Sequence, residues 1–231
     1  MSDDKMADCM LVCPFFWEKI SKLLFAFSLG LHYLCTFQIA CMMDEKIAFA
    51  ECVLLLDVDF MNLVVEPIRQ PGGGRPELPY VEWGSWLSYL ALDAGIKSGS
   101  NELQVLLLHK EGESEVRCCQ PASLEALNGQ ACQAPLGEIQ FACVPTAGMT
   151  TPQALYLNLL QLALDAKDVK HLLLLPHPAY TEAVVDELTD LFSEKPALAS
   201  KVTLFTLKPQ EVTLPCKVDT AFFSLAKAFG L

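Results

Sequence analysis

The chain of 231 residues has little positive charge. It carries 16 Lys and Arg residues against 28 Asp and Glu residues, which gives a formal net charge of −12 at pH 7. Proteins that hold nucleic acid along a broad surface neutralise its phosphates with clustered Lys and Arg side chains. The composition therefore weighs against nucleic acid as a partner over a broad surface, while a local site stays open.

The cysteines form neither a disulfide framework nor a zinc motif. There are ten, scattered along the chain, and the adjacent pair Cys118-Cys119 has no Cys-x-x-Cys pair or His cluster to complete a metal site. Several lie in apolar runs, where a free cysteine behaves as a small hydrophobic residue. We therefore predict a reducing, cytoplasmic location and no bound cofactor.

Charged residues are missing from residues 23–43, a stretch long enough to span a bilayer if it were helical. Three interpretations compete: a membrane anchor or signal segment, an extra helix packed on the domain, or sequence translated from a start codon placed too early. The position of Met42 and Met43 just before the first strand favours the third. We expect residues 1–42 to be an apolar extension and residues 43–231 to be a single domain, with membrane contact only if the extension is genuine.

From residue 46 onward, apolar runs of strand length alternate with stretches of helical periodicity. The predicted strands are 48–57, 103–109, 115–119, 139–144, 171–175 and 202–207. The predicted helices are 60–69, 81–94, a short one from Ser123, 152–166, 180–193 and 221–229. This alternation is typical of parallel strands joined by helices, so we predict an α/β fold: a three-layer α/β/α sandwich with a mainly parallel central sheet.

The run from Cys52 to Asn62 is the most informative segment, because a wholly apolar strand ends there in two carboxylates and an amide. Charges at the end of a buried strand lie at the rim of the sheet, where α/β proteins keep their sites. Asp57 and Asp59 are thus candidate catalytic residues and Asp57 a candidate metal ligand. The two aspartates alternate along a strand, so their side chains are expected to point to opposite faces and cannot both enter one site without a bend. The alternative is that Asp57 caps the following helix.

The loops after strands 139–144 and 171–175 are the expected neighbours of Asp57. The candidate binding residues at this edge are Asn62, Thr150, Thr151, Gln153, Asn158 and His177. His177 stands between two prolines and can also act as an acid or base near neutral pH. The aromatic residues Tyr80, Trp83, Trp86 and Tyr89 follow helical spacing and are expected in the core, or at a protein interface if two of them are exposed.

The chain from about residue 48 to 207 resembles a PIN-like domain, nearest the NYN branch. Those domains open with a hydrophobic strand ending in an aspartate that helps to hold a divalent metal, and Asp57 stands at the matching position. Asn62 falls where the family often has an amide or a small polar residue. The resemblance implies a Mg- or Mn-dependent nuclease, yet Thr150 to Gln153 and Asn158 stand near where those relatives carry carboxylates. The overall pattern is also similar to an uncharacterised family of short bacterial proteins.

Three functions follow as hypotheses. The first is a non-catalytic PIN-like domain, a pseudoenzyme that acts by binding, as a homo-oligomer or with a protein partner. The second is a metal-dependent ribonuclease that uses Asp57 with Asp59 or Glu182. The third is an α/β protein that binds a nucleotide or another small molecule in the crevice at the sheet edge.

Overall fold

The computed structural model describes residues 48–70, 77–146, 150–207 and 213–231. The extension expected at residues 1–42 lies outside these ranges, as do residues 71–76, which include the three consecutive glycines. The residues from Phe49 to Thr146 and from Thr150 to Leu231 belong to one compact unit.

A seven-stranded sheet forms the centre of this unit, with the order β5-β6-β3-β1-β7-β8-β9. Its strands are β1 (Cys52–Asp57), β3 (Asn101–His109), β5 (Ala131–Ala134), β6 (Gly137–Pro145), β7 (His171–Leu175), β8 (Val202–Thr206) and β9 (Lys217–Thr220). All neighbours are parallel except β5 and β6. A separate pair, β2 (Val81–Glu82) and β4 (Cys119–Gln120), is also parallel. The predicted mainly parallel α/β fold is confirmed.

Helices connect the strands. They are α1 (a π-helical segment Phe60–Val65 followed by Glu66–Arg69), α2 (Trp83–Asp93), α3 (Leu124–Leu127), α4 (Pro152–Asp165), α5 (Thr181–Glu194) and α6 (Phe222–Ala228). Short 3₁₀ turns occupy Pro178–Tyr180 and Pro196–Lys201. Within the described ranges, no helix is both long and apolar enough to cross a bilayer.

The central strand β1 is apolar throughout because helices cover both faces of the sheet. All six of its residues are buried. Leu54 and Leu56 belong to a core cluster with Trp86 of α2. Residues of a strand alternate between faces, so Val53 and Leu55 point to the other side, where α4 packs against β1 and β3. A strand buried on both faces reads as a continuous hydrophobic run, which is why this one is recognisable from sequence.

The strand predicted at residues 115–119 is wrong for most of its length. Only Cys119–Gln120 pairs as a strand, with β2, and Glu115 forms a single bridge to Ser123. Two edge strands, β5 and β9, were not predicted. The helix predicted from Val81 begins at Trp83, because Val81 and Glu82 form β2.

The four aromatic residues do not share one environment. Trp83 and Trp86 are buried in the core, as predicted, and the Trp83 indole N–H donates to the Pro121 carbonyl at 2.9 Å. Tyr80 lies before the helix and is 50% exposed, and Tyr89 is half-buried. The core prediction therefore holds for the two tryptophans and is wrong for Tyr80.

Candidate functional site

The candidate site lies where the strand order reverses. The chain places β3 on one side of β1 and later returns to place β7 on its other side. In open parallel sheets a crevice forms at this switch point, outside the carboxyl ends of the strands, and ligands commonly bind there. Asp57 is the last residue of β1 and so stands at that point.

The Asp57 carboxylate is buried and both of its oxygens accept hydrogen bonds. Asp57 is only 2% exposed. Oδ1 accepts from the backbone N–H of Asp59 at 2.6 Å and of Phe60 at 3.2 Å, and Oδ2 accepts from the Tyr180 hydroxyl. The two amides are the free donors at the start of α1. Asp57 thus makes the capping contacts that the sequence offers as the alternative to a metal site.

Tyr180 reaches Asp57 from the turn that follows β7. The residue is buried, and the turn is fixed by His177, whose Nδ1 accepts from the Ala179 amide at 3.1 Å. The ring of Tyr180 lies 5.6 Å from that of Tyr156, between centroids, and the Tyr156 hydroxyl donates to the Leu55 carbonyl at 3.1 Å. Asp57 and the two tyrosines therefore form a buried polar group that joins β1, α4 and the β7 turn.

Burial sets the electrostatics of this group. Desolvation raises the pKa of Asp57 above its ordinary value, the Tyr180 hydrogen bond opposes that rise, and the nearby charge of Asp59 adds to it. Desolvation, and then the charge of Asp57, also raise the pKa of Tyr180. The tyrosine therefore remains a hydroxyl donor at neutral pH.

Asp59 lies at the start of the helical segment that follows β1 and is not part of the strand. Its backbone is helical, and its own N–H binds Asp57, so the prediction that the two carboxylates alternate across the sheet is wrong. β1 ends at Asp57, and the alternation of a strand no longer applies beyond that residue. The Asp59 carboxylate contacts the Lys110 ammonium at 2.5 Å, a bond that raises the pKa of Lys110.

Asn62 is buried in α1 and binds the loop after β3. Its amide nitrogen donates to Glu113 Oε1 at 3.0 Å and to the Glu115 carbonyl at 2.8 Å, and its oxygen accepts from the Arg117 amide at 2.9 Å. These three bonds use both amide hydrogens and the carbonyl oxygen of the side chain. Asn62 therefore positions residues 113–117.

The other predicted residues make other contacts or are exposed, and none is seen to bond to the Asp57 carboxylate among the described residues. Thr151 caps α4 by accepting from the Ala154 amide at 3.2 Å, and Thr150 is half-buried beside it. Gln153 and Asn158 are exposed on α4. None of the hydrogen bonds to Asp57 in the described residues comes from these four side chains or from His177, whose ring lies 6.1 Å from that of Tyr180.

A metal cradle is not assembled among the described residues. No group of three or more His, Cys, Asp or Glu side chains there is placed to hold an ion. Glu182, a candidate partner of Asp57, is exposed in the first turn of α5. A divalent ion such as Mg²⁺ requires several oxygen ligands at one point, and the oxygens of Asp57 already accept internal donors.

Sequence reasoning missed Tyr180 and Lys110 as partners of the two aspartates. Tyr180 stands 123 residues from Asp57, and a tyrosine at a helix start carries no signal of such a contact. Lys110 follows β3, the strand beside β1, so its approach to Asp59 could be inferred only after the order of the strands was known.

A cavity of about 590 Å³ lies between the end of α1 and the loop after β3. We call it the Tyr80 cavity. Its walls include Glu66, Arg69, Tyr80, Glu115 and Arg117, and none of the residues that bind the Asp57 carboxylate lines it. This cavity is therefore not the crevice that the sequence predicts beside Asp57.

The fold and the site define a mainly parallel α/β protein in which the acidic residue at the switch point is a buried, internally bonded cap. Residues 46–231 match the family described as "Family of unknown function (DUF6621)", and the chain belongs to that family. Searches of curated proteins and of solved structures gave no match.

Proposed function

We propose that this chain is a non-catalytic PIN-like domain that acts by binding a protein or a small ligand. The observation that carries this proposal is the bonding of Asp57, the residue that resembles the metal-holding aspartate of PIN-like domains. Both of its oxygens accept hydrogen bonds from within the protein, and the residue is 2% exposed. A carboxylate in that state is a structural group that a cation would have to uncover first.

The strand order supports the PIN-like part of the proposal, because β1 lies at the centre of a parallel sheet with its aspartate at the switch point. The surroundings support the non-catalytic part. Asp59 is the nearest further carboxylate on the chain, and it is paired with Lys110. That cation offsets the negative charge that would attract a metal.

The competing function is a metal-dependent ribonuclease. The test is cleavage of single-stranded RNA by the full-length protein with Mg²⁺ or Mn²⁺, compared with the Asp57→Asn variant. We expect no cleavage above the level of the variant, because both oxygens of Asp57 already accept hydrogen bonds within the protein and a cation would have to displace those donors. Metal-dependent cleavage that the wild type performs and Asp57→Asn loses would refute the proposal, provided that circular dichroism shows the variant folded.

The proposed setting is the reducing cytoplasm, and the described cysteines are consistent with it. Five of them, Cys52, Cys118, Cys119, Cys132 and Cys216, are free thiols, and Cys118 and Cys119 remain unlinked with their sulfur atoms 3.8 Å apart. The test is to lyse cells directly into a denaturant that contains a thiol reagent and to count the labelled cysteines, which are those that were reduced in the cell. Cysteines found oxidised in the cell would contradict it.

A further inference from the structure

The Tyr80 cavity has a floor built from a buried ion pair. Arg69 is 3% exposed, and its guanidinium binds both carboxylate oxygens of Glu66, at 3.0 and 3.2 Å, and the Leu78 carbonyl at 3.2 Å. A guanidinium held in this fork geometry is fixed in place. The cavity therefore has a rigid base whose own charges are already balanced.

Tyr80 stands on this base as an exposed aromatic platform. The Arg69 guanidinium carbon lies 4.1 Å from the centroid of the Tyr80 ring, so the guanidinium covers one face of that ring. The residue is still 50% exposed. An aromatic side chain that is fixed on one face and open on the other is a suitable stacking surface for a planar ligand.

Two opposite charges on the wall are unpaired. Glu115 and Arg117 line the cavity, are exposed, and have side chains that make no hydrogen bond or ion pair with any described residue. Their backbone is nevertheless held firmly, because Asn62 binds the Glu115 carbonyl and the Arg117 amide. The loop thus presents one carboxylate and one guanidinium, two residues apart, beside the aromatic platform.

From this arrangement we propose that the Tyr80 cavity binds a free aromatic α-amino acid. The ring of the ligand stacks on the open face of Tyr80, its ammonium group binds Glu115, and its carboxylate binds Arg117. The volume of about 590 Å³ falls within the range of roughly 300–1,000 Å³ typical of small-molecule sites. A dianionic phosphate ester is a poorer match, because Glu115 stands beside the only unpaired cation that we identify on the described wall. This inference rests on the proposed binding function and specifies its ligand.

The experiment is titration of the full-length protein with L-tryptophan, L-tyrosine and L-phenylalanine at millimolar concentration. Calorimetry measures the affinity of each amino acid, and the melting temperature is measured with and without it. A ligand that binds only the folded state raises that temperature. Two analogues serve as matched ligand controls: tryptamine, which has no carboxylate, and 3-indolepropionic acid, which has no ammonium group. We expect each to bind at least about tenfold more weakly than L-tryptophan, since each loses a hydrogen bond to a charged group.

Four variants assign the contacts. Arg117→Gln should remove the preference for L-tryptophan over tryptamine, and Glu115→Gln should remove the preference over 3-indolepropionic acid. Tyr80→Ala should weaken all the indole ligands, while Tyr80→Phe, which keeps the ring, should not. Glu115 and Arg117 are exposed, so these variants are expected to melt with the wild type in the absence of ligand.

Several results would overturn the inference. One is no binding by any of the three amino acids, and another is equal affinity for L-tryptophan and tryptamine. A third is binding that Arg117→Gln and Glu115→Gln leave unchanged. Tighter binding of adenosine or AMP in the same cavity would also overturn it. None of these outcomes bears on the absence of ribonuclease activity, so failure of this inference is distinguishable from failure of the proposed function.

Discussion

Replacing Tyr180 with phenylalanine tests the role of the buried Asp57 group most sharply. The change removes one oxygen and keeps the ring, which packs 5.6 Å from Tyr156. The lost hydroxyl donates to Asp57 Oδ2, so the variant leaves one oxygen of a buried carboxylate without its donor. The loss of stability should therefore exceed that of an ordinary buried hydroxyl.

The size of the effect follows from the charge of the acceptor. A hydrogen bond to a charged group contributes about 1.5–3 kcal/mol, and one between neutral groups about 1 kcal/mol. We therefore expect Tyr180→Phe to lower the free energy of unfolding by about 2–3 kcal/mol. The matched control is Tyr156→Phe, which removes a hydroxyl bonded to the neutral Leu55 carbonyl and should cost about 1 kcal/mol.

The assay is urea unfolding at pH 7, followed by circular dichroism, with wild type, both single variants, Asp57→Asn and the double variant Asp57→Asn/Tyr180→Phe. With an amide at position 57 the acceptor is neutral, so the cost of Tyr180→Phe should fall and the cycle should give a coupling of about 1–2 kcal/mol. The slopes of the curves should be equal, which shows that the variants expose similar surface on unfolding.

Two results would refute this reasoning. If Tyr180→Phe costs no more than Tyr156→Phe, the bond to Asp57 is not a charge-assisted one. If Tyr180→Phe costs the same with Asp57 and with Asn at position 57, the two side chains do not act together, and the buried polar group is not a unit.

Three further predictions follow from individual contacts. Because burial raises the pKa of Asp57, folding favours its protonated form. The stability of wild type relative to Asp57→Asn should therefore rise as the pH falls from 7 through the folded pKa towards about 3.9, the ordinary value for Asp. Urea unfolding at several pH values measures this difference, and the absence of a rise would contradict the burial of the charge. Asn62→Ala removes three hydrogen bonds of a buried amide and should lower the free energy of unfolding by about 2–4 kcal/mol. The exposed control Asn158→Ala should lower it by less than about 0.5 kcal/mol. Equal values for the two variants in urea unfolding would argue against a positioning role for Asn62. Gly137→Ala places a Cβ 2.2 Å from a backbone oxygen of β3, so the variant should melt at a much lower temperature than wild type. The control is Gly112→Ala, where the added Cβ meets open space and the positive φ alone should cost about 1–2 kcal/mol. Similar melting temperatures for the two variants would contradict the close approach of β3 and β6.

The interior of the sheet was predictable from sequence because strands buried on both faces are continuous apolar runs. β1 and β7 were located in this way, and the leucine spacing of α4 identified that helix between β6 and β7 along the chain. β5 and β9 were missed because they are edge strands of only four residues, none of which is buried. Such strands are specified by their neighbour in the sheet and not by their own pattern.

The candidate site was predictable only in part, for a similar reason. The position of Asp57 at the sheet edge follows from the strand that ends there, a local property. Its state does not, because the Tyr180 donor comes from 123 residues away. The positions of Asp59 and Asn62 depend on the helical turn directly after Asp57, where strand periodicity stops.

The central claim is that Asp57 is a buried structural cap and not the ligand of a cation. Electron paramagnetic resonance of Mn²⁺ titrated into the full-length protein tests it directly, since bound ions leave the signal of the free aqueous ion. We predict that wild type and Asp57→Asn leave the same amount of free Mn²⁺ at every ratio of metal to protein. Removal of one equivalent of Mn²⁺ by the wild type, but not by Asp57→Asn, would contradict the account.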